Sequence, residues 1–210
     1  MTTGEAAKER EEVAPAGPRL YEKVNYDMNE DRENIWLLDL SNGERVAIRL
    51  MPDWAPKHVE RIKTLTRQGF YDGVIFHRVI DGFMAQGGDP TGTGQGGSDL
   101  PDLEAEFNAM PHVRGTVSMA RANEENSANS QFFIVFYPRF SLDKRYTNFG
   151  RVIDNIAAVD AIQRGEPPQN PTRILQASIA SDNVPPPAIT APPAMEQDIT
   201  ADMLSAPVQQ

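Results

Sequence analysis

The sequence predicts a mainly β protein, an antiparallel barrel or sandwich that carries two helices. Short apolar runs recur between residues 35 and 179, and turn dipeptides such as Asn42-Gly43 and Asp81-Gly82 separate several of them. Only two segments have helical spacing, whereas a parallel sheet needs a helix between most of its strands. At 210 residues and 40% apolar composition, the chain can build one domain with a real core.

The first structured segment is "IWLLDLSNGERVAIRL", residues 35–50, which we expect to form a β-hairpin. Two apolar runs flank Asn42-Gly43, a dipeptide favoured in tight type I′ turns. In the second run Val46, Ile48 and Leu50 alternate with polar residues, which predicts a half-buried strand.

Residues 55–70 follow with the pattern of a helix. Val59, Ile62 and Leu65 recur at a spacing of three, Pro56 suits a first helical turn and Gly69 suits a C-terminal cap. The same kind of spacing predicts a second helix over 154–165. Further strands are predicted at 74–80, 83–86, 115–120, 131–136, 148–153 and 173–179.

Both ends of the chain differ in composition from the middle. Residues 1–33 are charged and poor in large apolar groups, so we expect a mobile tail. Residues 182–210 are rich in proline and predict a disordered, polyproline-like tail. A single folded domain then spans 34–181. A chain of residues 30–182 should keep its activity and lose less than about 1 kcal/mol of stability.

Composition excludes several classes of function. The net charge of -10 argues against nucleic acid or an anionic membrane surface as the main partner. The absence of cysteine excludes thiol catalysis and thiolate metal sites. No apolar run approaches the ~20 residues of a membrane span. The N-terminus lacks the apolar region of a signal peptide, so we expect a cytoplasmic protein, or a periplasmic one if a signal peptide has been removed.

A glycine-rich stretch at 87–98 matches the dinucleotide-binding pattern G-x-G-x-x-G through Gly92, Gly94 and Gly97. That motif must open a helix whose N-terminus holds the pyrophosphate. No helical spacing follows Gly97, so we interpret the stretch as a flexible surface loop in which glycine supplies positive φ angles.

Other titratable residues give weak indications. The spacing of His58, His77 and His112 is not that of metal ligands, and we expect surface or hydrogen-bonded histidines and no metal site. Glu104 and Glu106 share a face of an extended chain, which suits an acid/base pair but is more typical of a solvated edge. No G-x-S-x-G elbow surrounds any of the three candidate serines, Ser118, Ser127 and Ser130.

Arg78 differs from these residues. In the strand predicted at 74–80 it shares a face with Phe76 and Ile80. A cation beside apolar neighbours must be paired, or must lie at the edge of a groove with its head toward a ligand. The residues alone leave both interpretations open.

Four motifs together resemble the cyclophilin family of peptidyl-prolyl isomerases in its bacterial form. They are "FHRVIDGFMAQGGDPTGTGQGGS", "GTVSMARA", "NSQFFI" and "FGRV", and the resemblance runs in order from about Ile35 to Ala180. It implies an eight-stranded antiparallel barrel capped by two helices.

The resemblance also implies a set of site residues. Arg78 would be the catalytic arginine, and Gln86 and Gln131 would bind the substrate backbone. Substrate contacts are further implied for Phe83, Met84 and Phe133 around the proline ring, for Ala120, Leu142 and Tyr146 along the groove, and for Arg121 through its backbone.

This chain departs from well-known eukaryotic members at three places. Arg121 stands where asparagine is common, and Tyr146 replaces a histidine. Ser141 falls where many members carry tryptophan, with Phe140 one position earlier. Because that tryptophan is commonly used in cyclosporin binding, we expect weak cyclosporin binding here.

The implied function is cis-trans isomerisation of X-Pro peptide bonds in protein folding, by a monomer that needs no cofactor. The partners would be proline-containing polypeptides. The alternative is a proline-peptide binding module or holdase chaperone whose isomerase activity is incidental.

Overall fold

The computed structural model describes residues 23–188, and it confirms a mainly β fold with eight antiparallel strands and two helices. The strands follow the order β3-β4-β6-β5-β7-β2-β1-β8 in one curled sheet, and every neighbouring pair is antiparallel. The elements are β1 (Ile35–Leu40), β2 (Arg45–Leu50), α1 (Pro56–Arg67), β3 (Arg78–Ile80), β4 (Met84–Gly87), β5 (Thr116–Met119), β6 (Phe132–Val135), β7 (Asn148–Asp154), α2 (Ile156–Asp160) and β8 (Ile174–Ile179).

The two edges of the curled sheet meet ahead of β3. Ile75 forms an isolated antiparallel bridge with Arg173, and the Phe76 N–H donates to the Thr172 carbonyl at 2.9 Å. The residues just before Arg78 therefore pair with the segment that enters β8 and do not pair with β4. For this reason the strand predicted at 74–80 is regular only over its last three residues.

The main core fills the interior of the curled sheet. Trp36, Tyr71 and Phe132 pack with ring centroids 4.9–5.9 Å apart, mostly edge to face. Tyr71 is fully buried, and its hydroxyl donates to the Ser130 carbonyl at 3.1 Å, so burial leaves no unpaired hydroxyl here.

Helix α1 agrees with its prediction, and its N-terminus is capped by a residue that is distant in the sequence. The N–H groups of Lys57 and His58 both donate to the Glu106 carboxylate at 3.1 Å. Glu104 instead forms an exposed ion pair with Lys57 at 2.6 Å. Of the two carboxylates expected at a solvated edge, Glu106 is therefore a structural group that satisfies the free N–H donors of a helix N-terminus.

Helix α2 is shorter than the segment predicted at 154–165. It is capped by the side chain of Asn155, which accepts from the Ala158 N–H, and it ends at Asp160. Ile162 lies beyond the helix but is fully buried in the main core. The apolar spacing thus indicated burial correctly but not the length of the helix.

Strand β2 is buried on both faces, so the predicted half-buried strand is wrong. Arg49 points away from the core, yet its side chain is only 2% exposed. Its guanidinium donates to four backbone carbonyls of the preceding segment at 2.6–3.0 Å, those of Asn25, Asp27, Glu30 and Asp31. Burial lowers the pKa of Arg49, while neighbouring acidic residues, chiefly Asp31, raise it.

Residues 23–33 therefore pack onto the sheet, although the sequence placed them in a mobile tail that ends at residue 33. Val24 is buried beside Met51 and Trp54. Residues 1–22 and 189–210 lie outside the described residues. On the C-terminal side, Arg67 bonds both Glu33 and Asp182 at 2.9 Å and so ties the two ends of the domain together.

No helix within residues 23–188 combines the length and apolar character needed to cross a membrane.

Removal of residues 1–29 should destabilise the domain by about 2–4 kcal/mol, and not by the less than about 1 kcal/mol expected from the sequence, because two of the four carbonyls that satisfy the buried Arg49 guanidinium would be lost. Urea unfolding of the full chain and of two deletions, 1–22 and 1–29, measures this effect. The shorter deletion is the control and should cost less than about 1 kcal/mol. Equal stability of the two deletions would show that Arg49 does not depend on residues 23–29.

Candidate active site

The site is built on one row of paired residues that crosses four neighbouring strands. Arg78 pairs with Gln86 between β3 and β4, Gln86 pairs with Phe133 between β4 and β6, and Phe133 pairs with Ser118 between β6 and β5. Directly paired residues of antiparallel strands point to the same face. This row therefore lies on the face opposite the main core.

A cavity of about 290 Å³ opens on that face, next to Arg78. All nine residues that line it were among the ten site residues named from the sequence: Arg78, Phe83, Met84, Gln86, Ala120, Arg121, Phe133, Leu142 and Tyr146. The tenth, Gln131, lines an adjacent cavity of about 510 Å³ that shares Gln86, Ala120 and Arg121 with the first. The structure thus brings the whole predicted set into one continuous groove.

The floor of the smaller cavity is apolar and separate from the main core. Met84 and Phe133 are buried at 2% and 5% exposure and pack with Val135, which is fully buried. The Phe133 ring meets the Tyr146 ring edge to face at 5.5 Å. Phe83 lies in the three-residue loop between β3 and β4, which projects its side chain over one side of the cavity. The result is a small apolar pocket beside a cation.

Behind this floor lies a hydrogen-bonded chain of serine, histidine and aspartate. Ser118 Oγ is 2.8 Å from His112 Nε2, and His112 Nδ1 is 2.8 Å from an Asp143 carboxylate oxygen. The connectivity is that of a nucleophilic triad. Ser118, however, is completely buried, and the His112 ring stacks on Phe133 at 6.4 Å. We therefore assign the chain a structural role in holding Phe133.

Arg78 is both paired and exposed to the groove, so each interpretation left open by the sequence holds in part. Its Nε donates to Glu166 at 3.3 Å, and its side chain is 43% exposed. Within residues 23–188 its two terminal nitrogens make no hydrogen bond. The terminal N–H donors are thus available to a ligand in the cavity.

Two glutamine amides form an oriented chain beside Arg78. Gln131 Nε2 donates to the carbonyls of Gly94 and Gly96 at 3.1 and 2.8 Å. Because both partners can only accept, Gln131 must turn its oxygen toward Gln86, whose Nε2 lies 3.0 Å away. Gln86 therefore directs its own oxygen elsewhere, as an acceptor for the groove.

The glycine-rich segment forms a wall of the larger cavity through residues 94–98. Gly92 and Gly94 adopt positive φ angles of 69° and 84°, as the sequence predicted. No helix follows Gly97. The phosphate-binding geometry of a dinucleotide site is thus missing.

Arg121 and Tyr146, two departures from the eukaryotic pattern, contact each other. The Arg121 guanidinium lies 5.0 Å from the centre of the Tyr146 ring and donates to the Arg145 carbonyl. Phe140 is 62% exposed and Ser141 is also exposed. Tyr146 therefore lines the outer side of the smaller cavity, whereas residues 140 and 141 do not line it.

Sequence reasoning missed two acidic residues that bond to residues of the site. Glu166, the partner of Arg78, follows Gly165 in a loop and carries no local pattern that marks it. Asp89 is fully buried in the glycine-rich segment. An aspartate that precedes closely spaced threonines and glycines is typical of a side chain that bonds its own loop, and this pattern could have identified Asp89.

The three histidines are all buried, contrary to the surface alternative of the sequence analysis. His58 bonds Glu106 at 2.6 Å and His112 bonds Asp143, whereas neither ring nitrogen of His77 has a partner within the described residues. Burial lowers the pKa of all three, and a neighbouring carboxylate opposes this shift in each: Glu106 in His58, Asp89 in His77 and Asp143 in His112. No group of three or more acidic or histidine side chains within residues 23–188 could hold a metal ion.

Comparison with known proteins gives consistent matches. The family model described as cyclophilin type peptidyl-prolyl cis-trans isomerase/CLD matches residues 37–179. A probable peptidyl-prolyl cis-trans isomerase of Brucella suis is 48% identical over 168 residues, 72% of this chain and 85% of that protein. A peptidyl-prolyl cis-trans isomerase of Synechococcus elongatus is 40% identical over 148 residues, 70% of this chain and 96% of that protein.

Solved structures show the same likeness. The crystal structure of a cyclophilin from Hirschia baltica has a TM-score of 0.69 and 31% identity, and it covers 74% of this chain and 77% of that one. A Cryptosporidium parvum cyclophilin type isomerase, crystallised in the presence of the dipeptide Ala-Pro, has a TM-score of 0.64 and 30% identity over 69% of this chain and 98% of that one.

Stability should fall as the pH drops below about 6.5, the ordinary pKa of histidine. Because the folded-state pKa of each buried histidine is lowered, the unfolded chain binds more protons in this range. Each histidine contributes at most about 1.4 kcal/mol per pH unit. The buried carboxylate of Asp89 has a pKa of about 2 and so adds nothing in this window.

Urea unfolding at pH 7.5 and 5.5 measures the effect, and the free energy of unfolding should be lower at pH 5.5. A His77→Gln variant should show a weaker pH dependence than the unmodified chain. Identical stability at the two pH values would contradict neutral burial of the histidines.

Proposed function

Because the chain belongs to the cyclophilin-type peptidyl-prolyl cis-trans isomerase family, we propose that it rotates X-Pro peptide bonds in the 290 Å³ cavity, with Arg78 as the catalytic residue. The observation that carries this assignment is the position of Arg78, whose terminal donors are unbonded within the described residues and which lines an apolar pocket beside two ordered glutamines.

The reaction breaks no covalent bond and needs no nucleophile. Rotation about an X-Pro amide has a barrier of roughly 18–20 kcal/mol because the C–N bond has partial double-bond character. Uncatalysed exchange takes tens to hundreds of seconds. An acceleration of about 10⁴-fold to the millisecond range requires roughly 5–6 kcal/mol of transition-state stabilisation.

Arg78 supplies an interaction that is stronger in the transition state than in the ground state. When the amide twists, conjugation is lost and the proline nitrogen regains a lone pair, which accepts a hydrogen bond from the guanidinium. The planar amide offers this acceptor only weakly, so the bond lowers the barrier. A hydrogen bond to a charged group contributes roughly 1.5–3 kcal/mol. Arginine remains protonated throughout the physiological pH range.

The remaining residues hold the substrate. The apolar pocket of Phe83, Met84 and Phe133 takes the proline ring, and its low polarity disfavours the charge-separated form of the planar amide. Gln86 offers its oxygen to a backbone N–H of the substrate. In this arrangement both Gln131 donor hydrogens are engaged by the loop, so Gln131 contributes mainly by orienting Gln86.

A proline-peptide binding module or holdase is the rival function, since the same groove could bind a peptide without turning it over. The curated relatives that match this chain are named as isomerases, and this favours catalysis. Turnover of a short X-Pro peptide separates the two functions.

Partners follow from the groove and the charge. We propose that proline-containing polypeptides are the substrates, in support of protein folding, and that the chain acts as a monomer without nucleic acid or membrane partners. We also propose a cytoplasmic location, with the periplasm as the alternative. Cell fractionation tests the compartment, and sedimentation tests the monomer.

Arg78→Ala should lower kcat/KM on an X-Pro peptide by at least about a hundredfold, equivalent to about 2.7 kcal/mol. Peptide affinity should change by less than about threefold, because the lost contact belongs to the transition state. Coupled isomerisation assays and peptide titrations measure the two quantities.

The matched control is Arg164→Ala. Arg164 also pairs through Nε with a carboxylate at 3.3 Å, that of Asp81, and it does not line the cavity. The control should keep its activity. If Arg78→Ala retains more than a third of the activity, the catalytic assignment is wrong.

Cyclosporin should inhibit the chain weakly, and Ser141→Trp should strengthen inhibition by about 30- to 1000-fold. An aromatic anchor at an interface is worth roughly 2–4 kcal/mol, and an indole adds a donor to its apolar area. The exposed Ser141 offers almost no area. Inhibition titrations of both proteins test this, with Phe140→Ala as a control that should change little. Low-nanomolar inhibition of the unmodified chain would show that other residues complete the wall.

A further inference from the structure

We propose that Asp89 is a positioning residue for the isomerase reaction, which acts through the glycine-rich loop and Gln131 to fix the orientation of the Gln86 amide. This inference rests on the proposed function of the groove. Asp89 does not line either cavity of that groove.

Asp89 organises the loop by accepting hydrogen bonds from it. The side chain is fully buried. Its carboxylate accepts from the Thr91 N–H at 2.8 Å, the Gly94 N–H at 2.6 Å and the Gly96 N–H at 3.1 Å, and also from the Thr91 hydroxyl at 2.8 Å. Burial raises the pKa of Asp89, but these hydrogen bonds outweigh that effect and hold it at about 2. The group is therefore charged at neutral pH and needs all of these donors.

The residues that donate to Asp89 are the same residues that accept from Gln131. Gly94 and Gly96 turn their N–H groups toward the carboxylate and their carbonyls toward Gln131 Nε2, at 3.1 and 2.8 Å. The N–H and C=O of one residue lie in two successive peptide units, which are joined at its Cα and related by only two soft torsion angles. The peptide unit that carries the Gly94 carbonyl lies between the two units whose N–H groups the carboxylate holds, and the unit that carries the Gly96 carbonyl follows directly. The buried charge therefore restrains the loop segment from which both carbonyls extend toward Gln131.

The loop fits closely around the carboxylate. A Cβ atom placed on Gly96 would collide with Asp89, so the backbone can approach this closely only at glycine. The contact is therefore specific to this loop conformation.

The two loop carbonyls in turn fix the orientation of the Gln131 and Gln86 side-chain amides. Gln131 must present its NH₂ group to two acceptors, which leaves its oxygen for the Gln86 NH₂ group at 3.0 Å. Gln86 is the strand partner of Arg78 and lines the same cavity, and within residues 23–188 its oxygen accepts no hydrogen bond. If the loop carbonyls moved, both amides could flip, and Gln86 would offer a donor where the substrate requires an acceptor.

The test compares Asp89→Asn with Glu106→Gln, a matched control. Glu106 is also a largely buried carboxylate that accepts two backbone N–H groups at 3.1 Å, but it caps α1 and does not contact Gln131. In the full chain, Asp89→Asn should lower kcat on an X-Pro peptide by about tenfold with a smaller change in KM. Glu106→Gln should change kcat by less than about twofold.

A double-mutant cycle with Gln131→Ala then tests the route of the effect. If Asp89 acts through Gln131, adding Asp89→Asn to Gln131→Ala should slow turnover by no more than about twofold, because nothing remains to be oriented. A full additional tenfold loss in the double mutant would overturn the proposal.

Thr91→Val serves if Asp89→Asn does not fold, since it removes one hydroxyl donor from the carboxylate and leaves the backbone donors. It should lower kcat two- to threefold in the presence of Gln131 and not in its absence. An unmodified chain without turnover would refute the proposed function. Normal turnover of the unmodified chain, with Asp89→Asn or Thr91→Val no slower than Glu106→Gln, would refute the role of Asp89 alone.

Discussion

The register of β3, β4, β6 and β5 is the constraint on which the site depends. One row across these strands carries Arg78, Gln86 and Phe133 on the groove face. The next row turns inward and is part of the main core: Val79, Ala85, Ile134 and Val117. Burial of each large apolar side chain contributes roughly 1.5–3 kcal/mol, so core packing fixes the register. A slip of one residue would move Arg78 into the core.

Catalysis without a nucleophile depends on the orientation of a few dipoles. Hydrogen-bond donors that are already in position at the reacting atoms cost no reorganisation during the reaction. In this chain a series of hydrogen bonds runs from the buried Asp89 through the glycine-rich loop and Gln131 to Gln86. The Glu166 carboxylate accepts a separate hydrogen bond from Arg78 Nε. The apolar floor receives its own support from the buried bond between Ser118 and His112. In the proposed mechanism, polar groups that do not touch the substrate thus set the donors and acceptors that the groove presents to it.

Much of the fold and of the candidate site was predictable from the sequence, because turn dipeptides, apolar spacing and short motifs are local signals. Turn dipeptides and apolar spacing located the hairpin and the first helix, and the resemblance named all residues of the smaller cavity. Long-range pairing was not predictable. Arg49 is satisfied by backbone carbonyls of residues 25–31, which have no side-chain pattern, so the segment looked like a tail. The bridge between Ile75 and Arg173 is likewise a long-range contact, and because of it the strand predicted at 74–80 is shorter than its apolar pattern. The orientation of Gln131 required the positions of two carbonyls that only the folded loop provides.

The most direct test is a crystal structure of the chain with an X-Pro peptide bound. The proline ring should occupy the pocket of Phe83, Met84 and Phe133, with a terminal nitrogen of Arg78 within about 3.5 Å of the proline nitrogen, the limit of a useful hydrogen bond. The Gln86 oxygen should accept from the peptide backbone. A proline ring bound in the larger cavity, or a guanidinium that does not approach the proline nitrogen, would contradict catalysis by Arg78.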